Sequence, residues 1–379
     1  MVQAPGVDVV TGDGSGSAER LLGQVAAWLL PGAVPLDRPA GGAEAMELVD
    51  RAIGARMVGP LVLAVEHGGL WLPDDQRARL AAAHEAAMQW CLHLEQRLLE
   101  VVDQFDRAGI DVMVIKGPAV AHLDEPDPAL RSFGDLDLLV RSADLDRAVA
   151  LLQGNGARRR IPEHRPGFDR RFEKSVGLTG TDQVELDVHR TLCLGPLGVR
   201  IPLDDLFGSP EAFELGGVTL HALAPVHRAL HAAYHAVVGS PEPPLHSLRD
   251  LAGYLTRADL GPDLVAEEAR RWRGETVLGE AVRAVLARLP FDAPAPWRAW
   301  AGRHRADPRD LRLLARSRVE GVGPLDLGLL RELGWRDRAG LTWSVAFPSP
   351  ESLAARGLTP WGRIRGGVRR ALPRRGGSS

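Results

Sequence analysis

Gly134-Asp-Leu-Asp-Leu-Leu-Val140 is the run on which the fold turns. Residues i and i+2 of a strand share a side, about 6.5–7 Å apart. Read as a strand, the run points Asp135 and Asp137 one way while Leu136 and Leu138 point into a core. Upstream, Ile110-Asp-Val-Met-Val-Ile115 is a short β-branched run suited to a buried strand. Lys116-Gly117-Pro118 follows, and a helix opens there. Glycine supplies the turn, and proline at the first helical position lacks only an N–H that would be unpaired anyway. Downstream, Ser142 is placed to cap a helix over Asp144–Gln153, which Gly154-Asn-Gly156 ends. A third strand, Gln183-Val-Glu-Leu-Asp-Val-His189, puts Glu185, Asp187 and His189 on one face and Val184, Leu186 and Val188 on the other.

Two aspartates on one strand face repel each other and lose solvation, and both effects raise their pKa unless a cation compensates. A hard divalent ion does so, and Mg²⁺ takes one or two carboxylates plus substrate phosphates. The competing reading of an isolated Asp-x-Asp is an edge strand with a solvated polar face. The preceding glycine, the strand–turn–helix upstream and a second acidic strand favour the cation site. Lys116 adds to this. Of 46 basic residues only Lys116 and Lys174 are lysine, and Lys116 stands immediately before the glycine at a helix entrance. Helix N-termini bind phosphate through free N–H groups and the helix dipole, and lysine adds a compact charge. A plain surface lysine is the alternative.

The 379 residues are 45% hydrophobic and 25% charged, with a net charge of −3. That leaves room for two or three domains and gives no general nucleic-acid-binding character. Two cysteines, Cys91 and Cys193, exclude a disulfide scaffold and an all-cysteine zinc site, and their surroundings read as inert. No Lys or Arg precedes Arg20, and the longest apolar run, Met57 to Val65, falls far short of the roughly 20 residues a membrane span needs. A soluble, cytoplasmic protein is expected. Residues 1–17 read as a disordered lead-in, whose Gly-x-Gly-x-Gly sits too near the start to be a phosphate loop. Helical periodicity covers 18–108, the α/β texture 109–222, and helices 223–345. Residues 346–379 form a tail with seven arginines and one acid from Glu351 onward. It suits a solubilising role or an anionic partner. His227, His231 and His235 fall on one helix face, suited to packing against Trp, to lining an acceptor or, less readily, to holding a metal. Asp250 reads as a structural partner for Arg249 or another helix. His189 either touches substrate or ends its strand.

In these residues the chain resembles the DNA polymerase β-like nucleotidyltransferase superfamily, and within it a largely uncharacterised bacterial branch. The pattern is Val114-Ile-Lys-Gly117, then Arg131 ahead of Gly134-Asp-Leu-Asp137, then Glu185-Leu-Asp-Val-His189. Leu223-Ala-Pro225 with His231 and His235, Leu248-Arg-Asp-Leu-Ala252 and Phe347-Pro-Ser-Pro350 resemble the branch's helical part. The resemblance implies an α+β fold, a small mixed β-sheet core flanked by N- and C-terminal helical regions. It implies Mg²⁺ or Mn²⁺ on Asp135, Asp137 and Asp187, which are also the catalytic residues, and an NTP held by Lys116, Gly117, Arg131 and Gly134. Glu185, His189, His231 and His235 would lie on the substrate side. Lys116-Gly117 stands where the superfamily has Gly-Ser, so lysine would replace a serine contact to phosphate. Three functions remain open: nucleotidyl transfer to an unidentified acceptor on a small molecule, peptide or protein; a toxin–antitoxin-type interaction protein; and a catalytically degenerate scaffold.

Overall fold

The computed structural model describes residues 14–318 and 327–355. Most of the expected lead-in, residues 1–13, and the arginine-rich tail from residue 356 lie outside the described residues. The N-terminal part comprises α1 (Gly14–Ala26), α2 (Gly42–Gly54), α3 (Val58–Glu66) and the long α4 (Asp74–Arg107). A short parallel pairing of β1 (Arg38–Pro39) with β2 (Leu70–Trp71) joins them. Helix α1 takes in residues 14–17, read above as lead-in; Ser17 Oγ donates to Glu44 Oε1 of α2 at 2.5 Å, and the next residue, Ala18, is fully buried.

The central sheet is built from β3 (Val112–Val114), β4 (Leu136–Val140), β5 (Arg158–Arg159), β6 (Ser175–Thr179), β7 (Glu185–His189), β8 (Glu211–Leu215) and β9 (Val218–Ala222). Their spatial order is β5-β6-β7-β4-β3-β9-β8. β4 pairs with β7 and β3 with β9 in parallel, and the other pairings are antiparallel. The fold is therefore α+β with a mixed sheet. Between the strands run α5 (Pro118–Leu123), a one-turn 3₁₀ helix (Pro128–Leu130), α6 (Leu145–Gly154) and the short α7 (Asp169–Phe172), α8 (Pro196–Val199) and α9 (Leu203–Leu206). After the sheet come α10 (Pro225–Val237), α11 (Leu245–Thr256), α12 (Pro262–Arg271), α13 (Glu275–Arg288), α14 (Ala295–Arg303), α15 (Pro308–Ser317), α16 (Leu327–Glu332), α17 (Trp335–Ala346) and α18 (Pro350–Ala355). No described helix is long and apolar enough to cross a membrane. Two local expectations shift. Asp144, not Ser142, occupies the cap position of α6. β7 starts at Glu185 because Gln183 adopts φ +67° in a turn where Asp182 Oδ1 accepts the Val184 N–H at 3.2 Å.

β4 lies in the middle of the sheet and is buried along its whole length, which removes the edge-strand reading. Leu136, Leu138 and Val140 face a core shared with Leu94, Leu98 and Phe105 of α4 and Val149 and Leu152 of α6. Leu139 and Met113 face the opposite core, made with α1–α3 and α10–α13. Asp137 shares that second face, since alternate residues of a strand share a side.

Three forked ion pairs fasten the loop after α5 to the C-terminal helices. Arg228 Nε and Nη2 donate to Asp124 at 2.9 and 2.8 Å. Arg249 donates to both oxygens of Glu125 at 3.0 and 2.9 Å, and its Nη1 reaches the Ala26 and Trp28 carbonyls of the N-terminal part. Arg131 donates to Asp250 at 2.9 and 3.0 Å. Only Arg presents two parallel donors to a carboxylate, which is why these sites suit it and not lysine. α3 also presses on the 3₁₀ turn, where a Cβ on Gly59 would collide with the Ala129 carbonyl oxygen. The side chains of Arg131 and Asp250 are 5% and 8% exposed. Removing one partner strands the other charge in a dry environment. Arg131→Ala is therefore expected to cost about 3–5 kcal/mol, read as a lower urea midpoint, while Arg131→Met with Asp250→Leu regains much of that loss.

Candidate active site

The parallel pairing of β4 with β7 sets Asp137 opposite Asp187 and Leu139 opposite His189. Adjacent strands lie about 4.8 Å apart, so the two carboxylates face each other across one strand spacing with the His189 ring on the same side. Asp137 is 5% exposed and His189 0%. Ligand atoms of Asp137, Asp187 and His189 lie within 4.8 Å of one another, and among the described residues this is the one group so arranged for a metal ion. Asp135 and Gly134 precede β4 at its entrance, and the Gly134 carbonyl accepts the Trp90 Nε1–H at 3.3 Å. The structure brings Asp137 and Asp187 together, and the tight cluster includes His189 and not Asp135.

Charges around the cluster are balanced from several elements. Lys116 Nζ, just past β3, donates to Asp137 Oδ1 at 3.1 Å, and His189 Nε2 donates to the same oxygen at 2.7 Å. Burial pushes the Asp137 carboxyl up, but Lys116 and the His189 hydrogen bond outweigh it and hold the group well below the usual carboxylate range. Burial holds His189 below the ordinary histidine value against the pull of Asp137. Asp135 goes the other way, raised by burial and by the Asp137 charge with only partial relief from Lys116 and Arg56. Arg160, after β5, forks onto Glu185 Oε2 at 2.6 Å and onto Asp187 Oδ1. It lies over Gly177 of β6, where a side chain would meet its guanidinium. Nothing in Arg158-Arg-Arg160 distinguishes Arg160 in the sequence, and only the strand pairing reveals it.

Gly117 takes φ +44°, with Phe133 Cγ 3.2 Å from where a Cβ would stand, so glycine is required there. α5 has six residues, and the Ala119 N–H is turned back onto the Lys116 carbonyl at 3.0 Å. What this turn offers an anion is therefore the Lys116 charge more than a helix dipole. Arg131 is a correction: its guanidinium is occupied by Asp250 and by the Ser132 carbonyl at 2.7 Å, so it holds the loop and is not free for a phosphate. His231 Nδ1 donates to the Ile115 carbonyl at 3.1 Å, bracing the residue before Lys116, and His235 Nδ1 meets Ser247 Oγ at 2.7 Å. Burial, with Lys116 adding, holds both histidines well below the ordinary value, so both are neutral. His227 meets Glu268 at 3.2 Å and packs on Trp272. The three helix-face histidines have separate partners and do not converge on a metal.

Two cavities flank the carboxylates and share Glu173 and Ser175. One, of about 440 Å³, is lined by Lys116, Lys174, His235 and apolar side chains. The other, of about 350 Å³, is lined by Arg160, His164, Asp169 and Asp187.

A family model described as "Uncharacterised nucleotidyltransferase" matches residues 42–290. Among solved structures, an antigenic nucleotidyltransferase-like protein from Paracoccidioides brasiliensis is similar over 52% of this chain and 93% of its own, with 14% identity and a TM-score of 0.33. No curated protein matches the sequence.

Both cysteines are buried, and Cys193 forms part of the larger cavity's wall. Burial pushes the Cys193 thiol up to about 12 and raises that of Cys91. The thiolate is the reactive form. Iodoacetamide at pH 8 is expected to leave both thiols of the native chain largely unmodified and to label both after denaturation, as read by mass spectrometry. Rapid native labelling of Cys193 would contradict its enclosed position.

Proposed function

The chain belongs to the family of uncharacterised nucleotidyltransferases. On that footing we propose that it transfers a nucleoside monophosphate from an NTP to a hydroxyl or phosphate acceptor on a small molecule, peptide or protein. In this reading Mg²⁺ or Mn²⁺ is held by Asp135, Asp137 and Asp187. The observation that carries the reading is the parallel register that sets Asp137 beside Asp187 with Lys116 reaching the same carboxylate. The donor chemistry suits a hard cation: crowded carboxylates, one of them raised in pKa by burial and a like charge, gain most from an oxygen-seeking ion. Such an ion would draw charge from the phosphate oxygens and ease deprotonation of the acceptor hydroxyl.

The acceptor oxygen attacks the α-phosphorus, forming a new P–O bond. The bond to the bridging oxygen breaks, and pyrophosphate leaves with its electron pair. From a hydroxyl acceptor the proton passes to Asp187, which lines the 350 Å³ cavity and so faces that side. Arg160 moves off Asp187 as this happens, since its guanidinium covers the oxygen that would act. Lys116 supplies positive charge to the phosphates at the turn where the superfamily has serine. His189 fixes the orientation of Asp137 from behind, as a hydrogen-bonded outer partner does for a ligand carboxylate. The scaffold alternative draws on one observation: Lys116 and Arg160 already neutralise Asp137 and Asp187.

Pyrophosphate release from each of the four NTPs with Mg²⁺ or Mn²⁺, screened over candidate acceptors, separates the two. The expected result is metal-dependent release that Asp137→Asn lowers by at least about 10²-fold with the fold intact by circular dichroism. Release that is independent of metal, or equal in Asp137→Asn, would sink the reading. Binding of NTP without release for any acceptor favours the scaffold.

A further inference from the structure

Lys116 and Lys174, the chain's only lysines, line one cavity. They reach it from different elements: Lys116 from the turn after β3, and Lys174 from the residue before β6. The rest of the wall is largely apolar, with Leu192 and Leu197 beyond β7, Val238 after α10, and Leu329 on α16, and it also includes Glu173 and Ser175 on the side shared with the other cavity. The two ammonium groups differ in one respect. Lys116 is bonded to Asp137, whereas Lys174 makes no hydrogen bond or ion pair through its ammonium to any described residue. Its side chain is half-buried. Burial and the like charge of Lys116 hold its pKa below the ordinary lysine value, with Asp137 and Asp187 attracting it only from beyond contact distance. A half-buried cation without a partner has given up part of its solvation, and an anion entering the cavity compensates for that loss.

Arg131, Arg228 and Arg249 bind the chain's own carboxylates in forks, whereas Lys174 stands with a second lysine in the wall of one cavity. Two lysines in the wall of one chamber whose lining is otherwise largely hydrocarbon match a ligand with an oxyanion chain and a flat, weakly polar body. A volume of about 440 Å³ accommodates a molecule of nucleotide size. The opposite cavity, with Asp187 and Arg160 in its wall, is then left for the acceptor.

We propose that Lys174 is a second phosphate-binding residue, and that the 440 Å³ cavity takes the NTP with its triphosphate across Lys116 and Lys174 and its base against the apolar wall. This rests on the nucleotidyl-transfer reading above, and the test keeps the two apart. Binding of a non-hydrolysable α,β-methylene NTP to the full chain is measured by calorimetry with Mg²⁺, alone and in competition with inorganic tripolyphosphate. In the wild type the analogue binds and tripolyphosphate displaces it. Lys174→Met, which keeps the stem and removes the charge, weakens both ligands by about 10–100-fold, the span of one charged hydrogen bond. Lys174→Arg recovers a substantial part of the affinity, and the thermal midpoint of Lys174→Met is unchanged or higher because an unpaired charge has gone. If the wild type binds the analogue and Lys174→Met binds it equally well, Lys174 is no phosphate ligand while nucleotidyl transfer stands. Tripolyphosphate that fails to displace the analogue overturns the placement of the phosphates at the lysines. A wild type that binds no NTP overturns both readings.

Discussion

A carboxylate buried at the start of the middle strand of a sheet organises this molecule. Asp137 is almost wholly removed from water, and an isolated charge there would be untenable. Its neutralisation recruits the elements on either side. β3 ends so that Lys116 reaches one oxygen, and β7 runs parallel to β4 so that His189 reaches the same oxygen and Asp187 stands alongside. His231 in turn braces the Ile115 carbonyl beneath Lys116 from α10. Hydrogen bonds from separate elements thus hold Asp137 in one orientation, the kind of positioned charge that the proposed transfer would use.

The basic residues divide by chemistry. Arginine's planar fork makes the buried bridges to Asp124, Glu125 and Asp250 that hold the sheet's loop against α10 and α11. These bridges bring the C-terminal helices over the open end of the sheet, where α10, α15 and α16 complete the larger cavity. Lysine, a flexible point charge, is confined to that cavity. A bidentate partner thus stands where these loops are held, and the two compact charges stand in the cavity wall.

The sequence made much of this legible, and the limits are physical. β4 and β7 could be read because a carboxylate-bearing strand alternates acid and hydrocarbon even when buried on both faces. The hairpin of β8 and β9 had a usable signal in Gly216-Gly217, both at positive φ, which joins two alternating runs. β6, Ser175-Val-Gly-Leu-Thr179, carries too few apolar residues to announce itself, and two-residue β5 carries no signal at all. Asp124 and Glu125 look like ordinary loop polarity. Their partners Arg228 and Arg249 lie more than a hundred positions away, and only the fold brings them together. Arg131 fitted a phosphate role in the sequence because a motif gives spacing, not direction, and its side chain turns to Asp250. Lys174 stands out in the sequence only as a count, and the fold sets it with Lys116 in the wall of one cavity.

The most direct measurement is anomalous diffraction from crystals equilibrated with Mn²⁺ and a non-hydrolysable NTP. The expected result is a manganese peak bounded by carboxylate oxygens of Asp137 and Asp187, with Arg160 drawn away from Asp187. Crystals that show no peak at this cluster, with Arg160 still seated on Asp187 at saturating Mn²⁺, would contradict a metal-dependent transferase site.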